Sequence, residues 1–327
     1  MGIMVDGVWR SDTWVRDNEG HFQRDPTTFR FQVVDEPGAR FVPEAGRYHL
    51  YVSYACPWAH RTLMARALLG LEDVIDVSVV HPHMLDEGWS FDTDFPNTTG
   101  DRLHDNEFLR EVYSRADANY SGRVTVPVLW DTKERTIVNN ESREIIRMLS
   151  TVFAPLGTTS IDLAPQALQG VIDERIDAIY EPINNGVYRC GFATTQEAYE
   201  EALGELFEAL GRWEKHLGEH RYLAGDTFSE ADLCMFPTLL RFDPVYYGHF
   251  KCNLNHVYEL PNLWNYLLEI YQMPGVAETC HIDHIQQHYY YSHDMINPTR
   301  VVPRGPMLHH LAAHDRDRLV GALATRG

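Results

Sequence analysis

Two periodicities meet at a Cys-Pro pair between residues 47 and 71, and that junction limits the fold more than any other feature of the chain. RYHLYVS (47–53) alternates and is rich in strand formers, whereas the apolar residues of YACPWAHRTLMARALLGL (54–71) recur at helical spacing. The stretch reads as strand, turn, helix. A more continuously apolar segment at 74–81 reads as a second strand, giving a βαβ unit with a parallel pair. Residues 82–122 carry Gly, Pro, Asn and Asp signals with one short helical patch near 106–119, and read as an insertion of the kind that is often functional. The sheet resumes at VTVPVLWD (124–131) and, after a turn at 131–133, at ERTIVN (134–139). NNESREIIRMLS (139–150) then reads as a helix entered through Asn and Glu.

A Pro/Gly/Thr-rich stretch, APLGTTSIDLAP (154–165), closes this part, and strand signals disappear after it. Helical patterns follow at 166–181, at 196–216, at 229–240 and at 261–272. The longest places Leu203, Leu206, Phe207, Leu210, Trp213 and Leu217 on one stripe. Ser229 through Asp232 resembles a capping box, with Asp in place of the usual Glu or Gln. The expected organisation is an irregular extension over 1–45 that wraps over something else, an α/β domain over 46–153 with its insertion at 82–122, an all-helical domain over 166–310, and a tail over 311–327.

With 327 residues and 44% hydrophobic content, two domains can each bury a core. A net charge of −19 disfavours nucleic acid and anionic membranes as partners. No apolar run of about 18 residues suits a membrane span, and the first residues lack a basic stretch followed by an apolar one. Five scattered cysteines without paired spacing fit a reducing setting. A soluble, cytoplasmic protein is the expectation.

Cys56 stands where the strand turns into the helix, with Pro57 in the first turn, where a missing N–H costs nothing. A thiol there faces the positive end of the helix dipole, which favours the thiolate. Lowering a thiol from its reference value to near 6 would raise the ionised fraction at pH 7 about thirtyfold. CPWA lacks a second cysteine to resolve a mixed disulfide, so a small-molecule thiol is the economical partner; an inert buried cysteine fits the spacing too. Pro127 is awkward for a central strand, and a cis Val126–Pro127 bond would expose the Val126 backbone to an extended ligand. Glu141 and Ser142, at a helix N-terminus, suit the zwitterionic end of an amino-acid-like ligand as well as simple capping.

Taken together, YACPWAHR (54–61), VTVPVLWD, NNES (139–142) and SEADLCMFPTLLRFD (229–243) resemble glutathione transferases, with a thioredoxin-like N-terminal domain and an all-α C-terminal domain. Cys-Pro-Trp-Ala-His, with NNGVYRCGFA (184–193), HYYYSH (288–293) and INPTRVVPRGP (296–306), is similar to the glutathionyl-hydroquinone reductases, or Xi class. The resemblance implies that Cys56 attacks the sulfur of a glutathionyl-hydroquinone, and that a second glutathione resolves the mixed disulfide. It implies glutathione contacts from Trp89, Arg123, Val124, Thr125, Val126, Glu141 and Ser142. Tyr188 corresponds to the proton donor or acceptor, and Tyr246 and Tyr289 to tyrosines beside the thiol. It further implies a homodimer and glutathione as co-substrate, with no tightly bound cofactor. Neighbouring tyrosines at 247, 290 and 291 leave the register open.

The residues also admit three other readings. His281, His284 and His288 could share a helix face around a metal, but no acidic or Cys ligand completes the set convincingly and no metal is expected. A Cys-type transferase with thiol transferase or dehydroascorbate reductase activity is the alternative enzyme. A non-enzymatic binding module is the alternative from another class.

Overall fold

A computed structural model describes residues 2–11, 19–22 and 26–326. The chain begins with a hairpin of β1 (Ile3–Val5) and β2 (Val8–Arg10). Its turn passes through Gly7 at φ 77°, where an added Cβ would lie 2.1 Å from the Ala118 carbonyl oxygen, so glycine alone fits. Met4 and Gly122 exchange backbone hydrogen bonds of 2.9 Å, which ties the hairpin to the middle of the chain.

β3 (Tyr48–Val52), buried along its length, leads through Cys56 into α1 (Pro57–Leu68) and on to β4 (Asp76–Val79). β3 and β4 pair in parallel from His49↔Asp76, as the βαβ reading requires. The segment 82–122 holds a two-residue hairpin, β5 (Met84–Leu85) with β6 (Gly88–Trp89), and then α2 (Leu109–Ala116). β7 (Val128–Asp131) runs antiparallel to β3, and β8 (Thr136–Asn139) antiparallel to β7, which gives the order β4-β3-β7-β8. β7 starts four residues later than the sequence pattern suggests, because Pro127 has no N–H to give the ladder; the Val126–Pro127 bond is cis. Residues of the N-terminal segment extend the sheet. Phe31 N donates to Val138 O at 3.0 Å, and the Asn139 side chain returns a bond to Phe31 O, so the outer edge of β8 is covered.

α3 (Ser142–Met148) packs on α1, and the helical half follows with α4 (Gln169–Ile179), α5 (Gly186–Phe192) and α6 (Gln196–Glu219). On α6 the buried stripe runs through Ala198, Ala202, Leu206, Ala209, Leu210, Trp213 and Leu217. Leu203 and Phe207, expected on that stripe, sit at its margin and are half-buried. After β9 (Thr227–Phe228) comes α7 (Glu230–Arg241), buried from end to end and packed on α1, α4 and α8 (Pro261–Tyr271). The capping box is formed: Ser229 N donates to Asp232 Oδ2 at 2.8 Å. Burial pushes the Asp232 carboxyl up to about 6, opposed by bonds from Leu223 N and the Tyr266 hydroxyl.

α9 (Ile282–Ser292), which the sequence suggests only through its histidines, closes over the sheet side at β5. The tail returns to the body. β10 (Ala322–Leu323) pairs in parallel with β9, and the buried Arg316 donates to the carbonyls of Leu217, His220 and Arg221. Among the described residues no helix is long and apolar enough to cross a membrane.

Candidate active site

The α1 N-terminus forms the floor of a cavity of about 350 Å³. Cys56 is the N-cap residue with extended backbone (φ −76°, ψ 123°), and its side chain makes no capping bond to the helix. The sulfur is directed instead across the floor, donating to the Val126 carbonyl at 3.5 Å. It is partly exposed and, like the other cysteines, a thiol. At this position the unsatisfied N–H groups of the first turn favour an anion.

One wall is backbone. Arg123, Val124, Thr125 and Val126 run along the cavity ahead of β7. Tyr113 braces this wall: its hydroxyl donates to Thr125 O at 2.8 Å and accepts from Thr125 N at 3.2 Å. Tyr120 adds a bond to Arg123 O at 2.8 Å. Trp89, from the β5–β6 hairpin, joins from the side.

The facing wall is made of side chains from α5 and α9. Tyr188 and Tyr289 meet hydroxyl to hydroxyl at 2.6 Å, and Tyr289 meets Tyr246 at 3.0 Å. Tyr188 and Tyr289 line the cavity, whereas Tyr246 lies fully buried behind them, its ring stacked on Phe250 at 5.5 Å. Burial holds the phenols of Tyr246 and Tyr289 well above their ordinary range, so both are neutral at pH 7. Gly191 makes this stack possible, since a Cβ there would fall 2.2 Å from the Phe250 ring.

Glu141 and Ser142 stand apart from this cavity. Glu141 caps α3 by accepting from Arg143 N at 3.3 Å, and it borders a neighbouring charged cleft of about 410 Å³ with Arg61, Arg143 and Asp173. Ser142 is buried and accepts from Arg61 Nη1 at 3.4 Å. Thr27 joins the two spaces: it lines the cavity and its hydroxyl donates to Glu141 Oε2 at 3.3 Å.

Several lining residues escape the sequence reading. Trp9, Phe22, Thr27 and Thr28 roof the cavity from the N-terminal segment, which carries no local pattern to betray it. His288, considered in sequence only as a metal ligand, lies flat on Trp89 at 4.8 Å, with Nδ1 2.9 Å from Pro82 O. Burial lowers it to about 4, so the ring is neutral, Nδ1 carries the proton and Nε2 keeps a lone pair. The residues whose ligand atoms do approach one another are His281, Asp283 and His284, within 4.8 Å. That spread exceeds the roughly 3.4 Å separation of donors on a tetrahedral ion, and His281 is stacked on Tyr54 at 3.7 Å.

A mixed sheet with a cis proline facing a helix-borne cysteine, joined to a helical half that supplies aromatic walls, defines a glutathione transferase. The sequence matches the family "Glutathione S-transferase, N-terminal domain" over residues 55–152 and "Glutathione S-transferase, C-terminal domain" over residues 196–269. Among individual proteins it is 53% identical to glutathionyl-hydroquinone reductase YqjG of Escherichia coli (strain K12), covering 97% of this chain and 99% of that one. It is 46% identical to glutathionyl-hydroquinone reductase PcpF of Sphingobium chlorophenolicum, over 94% and 96%. Its structure resembles the Xi-class transferase of Natrialba magadii, with TM-score 0.94, 55% identity and 98% of both chains covered. It also resembles the glutathione-bound YqjG of E. coli K-12, with TM-score 0.89, 51% identity and 97% and 99% covered. The chain belongs to the glutathionyl-hydroquinone reductase family, the Xi class of glutathione transferases.

Proposed function

We propose that the protein reduces glutathionyl-hydroquinones with glutathione, using Cys56 as the nucleophile. The observation that carries this reading is the sharing of one cavity by the Cys56 sulfur and the Tyr188–Tyr289 hydroxyl pair. The Cys56 thiolate attacks the sulfur of the conjugate, a Cys56–glutathione disulfide forms, and the aryl carbon–sulfur bond breaks. The electron pair leaves with the aromatic carbon, which takes a proton from Tyr188. A second glutathione thiolate then attacks the mixed disulfide, releasing glutathione disulfide and restoring the Cys56 thiolate. Two sulfurs are oxidised to one disulfide, and the ring carbon gains the two electrons.

Glutathione lies along the backbone wall of Arg123 to Val126 beside Trp89, its zwitterionic end reaching past Thr27 to Glu141 and Ser142. The aromatic ring occupies the tyrosine side, where phenol faces and the His288 lone pair suit a hydroxylated ring. Residues 46–153 serve as the glutathione-binding unit and 166–310 as the unit for the aromatic partner. The family resemblance supports a homodimer, and five cysteines without paired spacing support a cytoplasmic setting.

The test is stoichiometric. Incubation with a glutathionyl-hydroquinone and glutathione is expected to release hydroquinone and glutathione disulfide one for one. Cys56→Ser is expected to abolish this reduction while leaving conjugation possible. Turnover of small mixed disulfides alone would sink the reading and point to a thiol transferase.

A further inference from the structure

Arg241, the last residue of α7, is fully buried, and its guanidinium is spread beneath the turn that ends in Cys56. Nε donates to Ala55 O at 2.9 Å, and Nη2 to Tyr54 O at 3.0 Å. Nη1 donates to Pro237 O at 2.9 Å and lies 3.1 Å from His60 Nδ1. Every one of these acceptors is neutral. Among the described residues no carboxylate forms an ion pair with Arg241, although Arg47 and Arg316, also buried, meet Asp131 and Glu269. The nearest acid in sequence, Asp243, is turned away to the backbone of Val257 and Tyr258. Arg61, buried and likewise without a carboxylate, differs in bordering the charged cleft with Glu141 and Glu144.

A guanidinium does not shed its proton, so this charge persists inside the protein, and an interior charge without a counter-ion is costly. The residue directly after the two carbonyls it grips is Cys56. We propose that Arg241 is a positioning residue whose buried charge is balanced by the Cys56 thiolate, so that seating α7 against α1 makes the sulfur nucleophilic. This rests on Cys56 being the nucleophile.

The field of Arg241 reaches the groups around the sulfur. Burial dominates at Tyr246 and Tyr289 and raises them, while Arg241 pulls the other way. Burial lowers His60 and His288, and Arg241 adds to it. Cys280, beside His60, is driven up to about 12 by burial against the pull of Arg241, which leaves it protonated. Among the described residues, the remaining titratable groups facing the cavity are Arg123, Tyr120, Tyr188 and His293. The same balance favours turnover. The Cys56–glutathione disulfide is neutral and leaves Arg241 uncompensated, so attack by the second glutathione is assisted by a Cys56 that departs as a stabilised thiolate.

The experiment is the pH dependence of Cys56 alkylation by iodoacetamide, with the adduct located by peptide mass, in the wild type, Arg241→Met and Arg241→Lys. Summed bond lengths put the guanidinium within about 10 Å of the sulfur, and at that range a charge in the interior is worth about one pH unit. The midpoint of Arg241→Met is expected to rise by that amount, with alkylation about tenfold slower at pH values below both midpoints and rates converging near pH 10. Arg241→Lys, which keeps the charge, is expected to stay near the wild type. An unchanged midpoint in Arg241→Met, or a loss that persists at pH 10, overturns the proposal while leaving the nucleophile's identity to the Cys56→Ser test. Should Arg241→Met not fold, Cys56→Asp is expected to melt at least about 3 °C above Cys56→Asn, more than a helix end supplies. Equal melting would overturn the idea.

Discussion

The two long walls of the cavity do the same job by opposite means. On the sheet side, Arg123 to Val126 present backbone, braced by the Tyr113 and Tyr120 hydroxyls, while the Val124 and Val126 side chains are buried in the core. On the helical side the backbone is spent within α5 and α9, and everything offered to a ligand is a side chain whose position depends on what lies behind it. Backbone recognition is generic and tolerant, suited to one invariant tripeptide. Side-chain recognition is specific and fragile, and it carries the hydroxyls to which the proposed reaction assigns the proton.

That contrast breaks most visibly at the proton. Tyr188→Phe is expected to lower kcat on the order of 100-fold, the usual worth of a positioned acid, with glutathione affinity unchanged. Steady-state kinetics beside a glutathione titration checks this, and a parallel loss of glutathione binding would mean that the walls are not separate.

The next effect is on stability. His49, under the sheet side, and His288, on the helical side, are both held at about 4 by burial and are neutral in the folded protein. Their folded values lie below the unfolded value of about 6.5, so their contribution is present above pH 6.5 and is lost as pH falls toward 4. Each is worth on the order of 2–3 kcal/mol. Asp232 and Glu230, raised by burial to about 6 and about 7, act in the opposite sense, contributing most below pH 4 and less as pH rises. Burial lowers His60, His249 and His293 in the same way, so the histidines outweigh the two acids; the melting temperature is expected to fall between pH 6.5 and 4, and His288→Gln to make that fall shallower. An identical slope would place His288 outside the balance.

Gly191→Ala puts a methyl into the Phe250 ring. A cost of about 1–3 kcal/mol is typical of such overpacking, and KM for the aromatic substrate should rise while that for glutathione does not. The smallest effect falls to Tyr246→Phe. Its hydroxyl reaches the cavity only through Tyr289, and losing one hydrogen bond of about 1 kcal/mol should slow turnover about fivefold. A loss as large as that of Tyr188→Phe would show that all three phenols act as one unit.

The same divide explains what the sequence reveals. The strand, turn and helix around Cys56, the capping box at Ser229 and Asp232, and the proline at 127 are set by neighbours a few positions away, and they stand in the structure as their spacing implies. Residues brought in from a distance are invisible to periodicity. Thr27 meets Glu141 across 114 positions, and Phe22 joins Tyr188 and Phe192 from a segment with no pattern of its own. Leu203 and Phe207 obey the helical period yet lie at the margin of the buried face, whose centre runs through Ala198, Ala202, Leu206 and Ala209. The tyrosines are legible only through the family resemblance, and only packing separates Tyr289 on the surface of the cavity from Tyr246 behind it.

The pairing of Phe31 with Val138 along the outside of β8 has a consequence away from catalysis. An uncovered outer strand is a template on which other chains add, the usual beginning of aggregates. The opening residues therefore shield that edge, and a version of the chain trimmed past residue 31 is expected to self-associate, which light scattering would show.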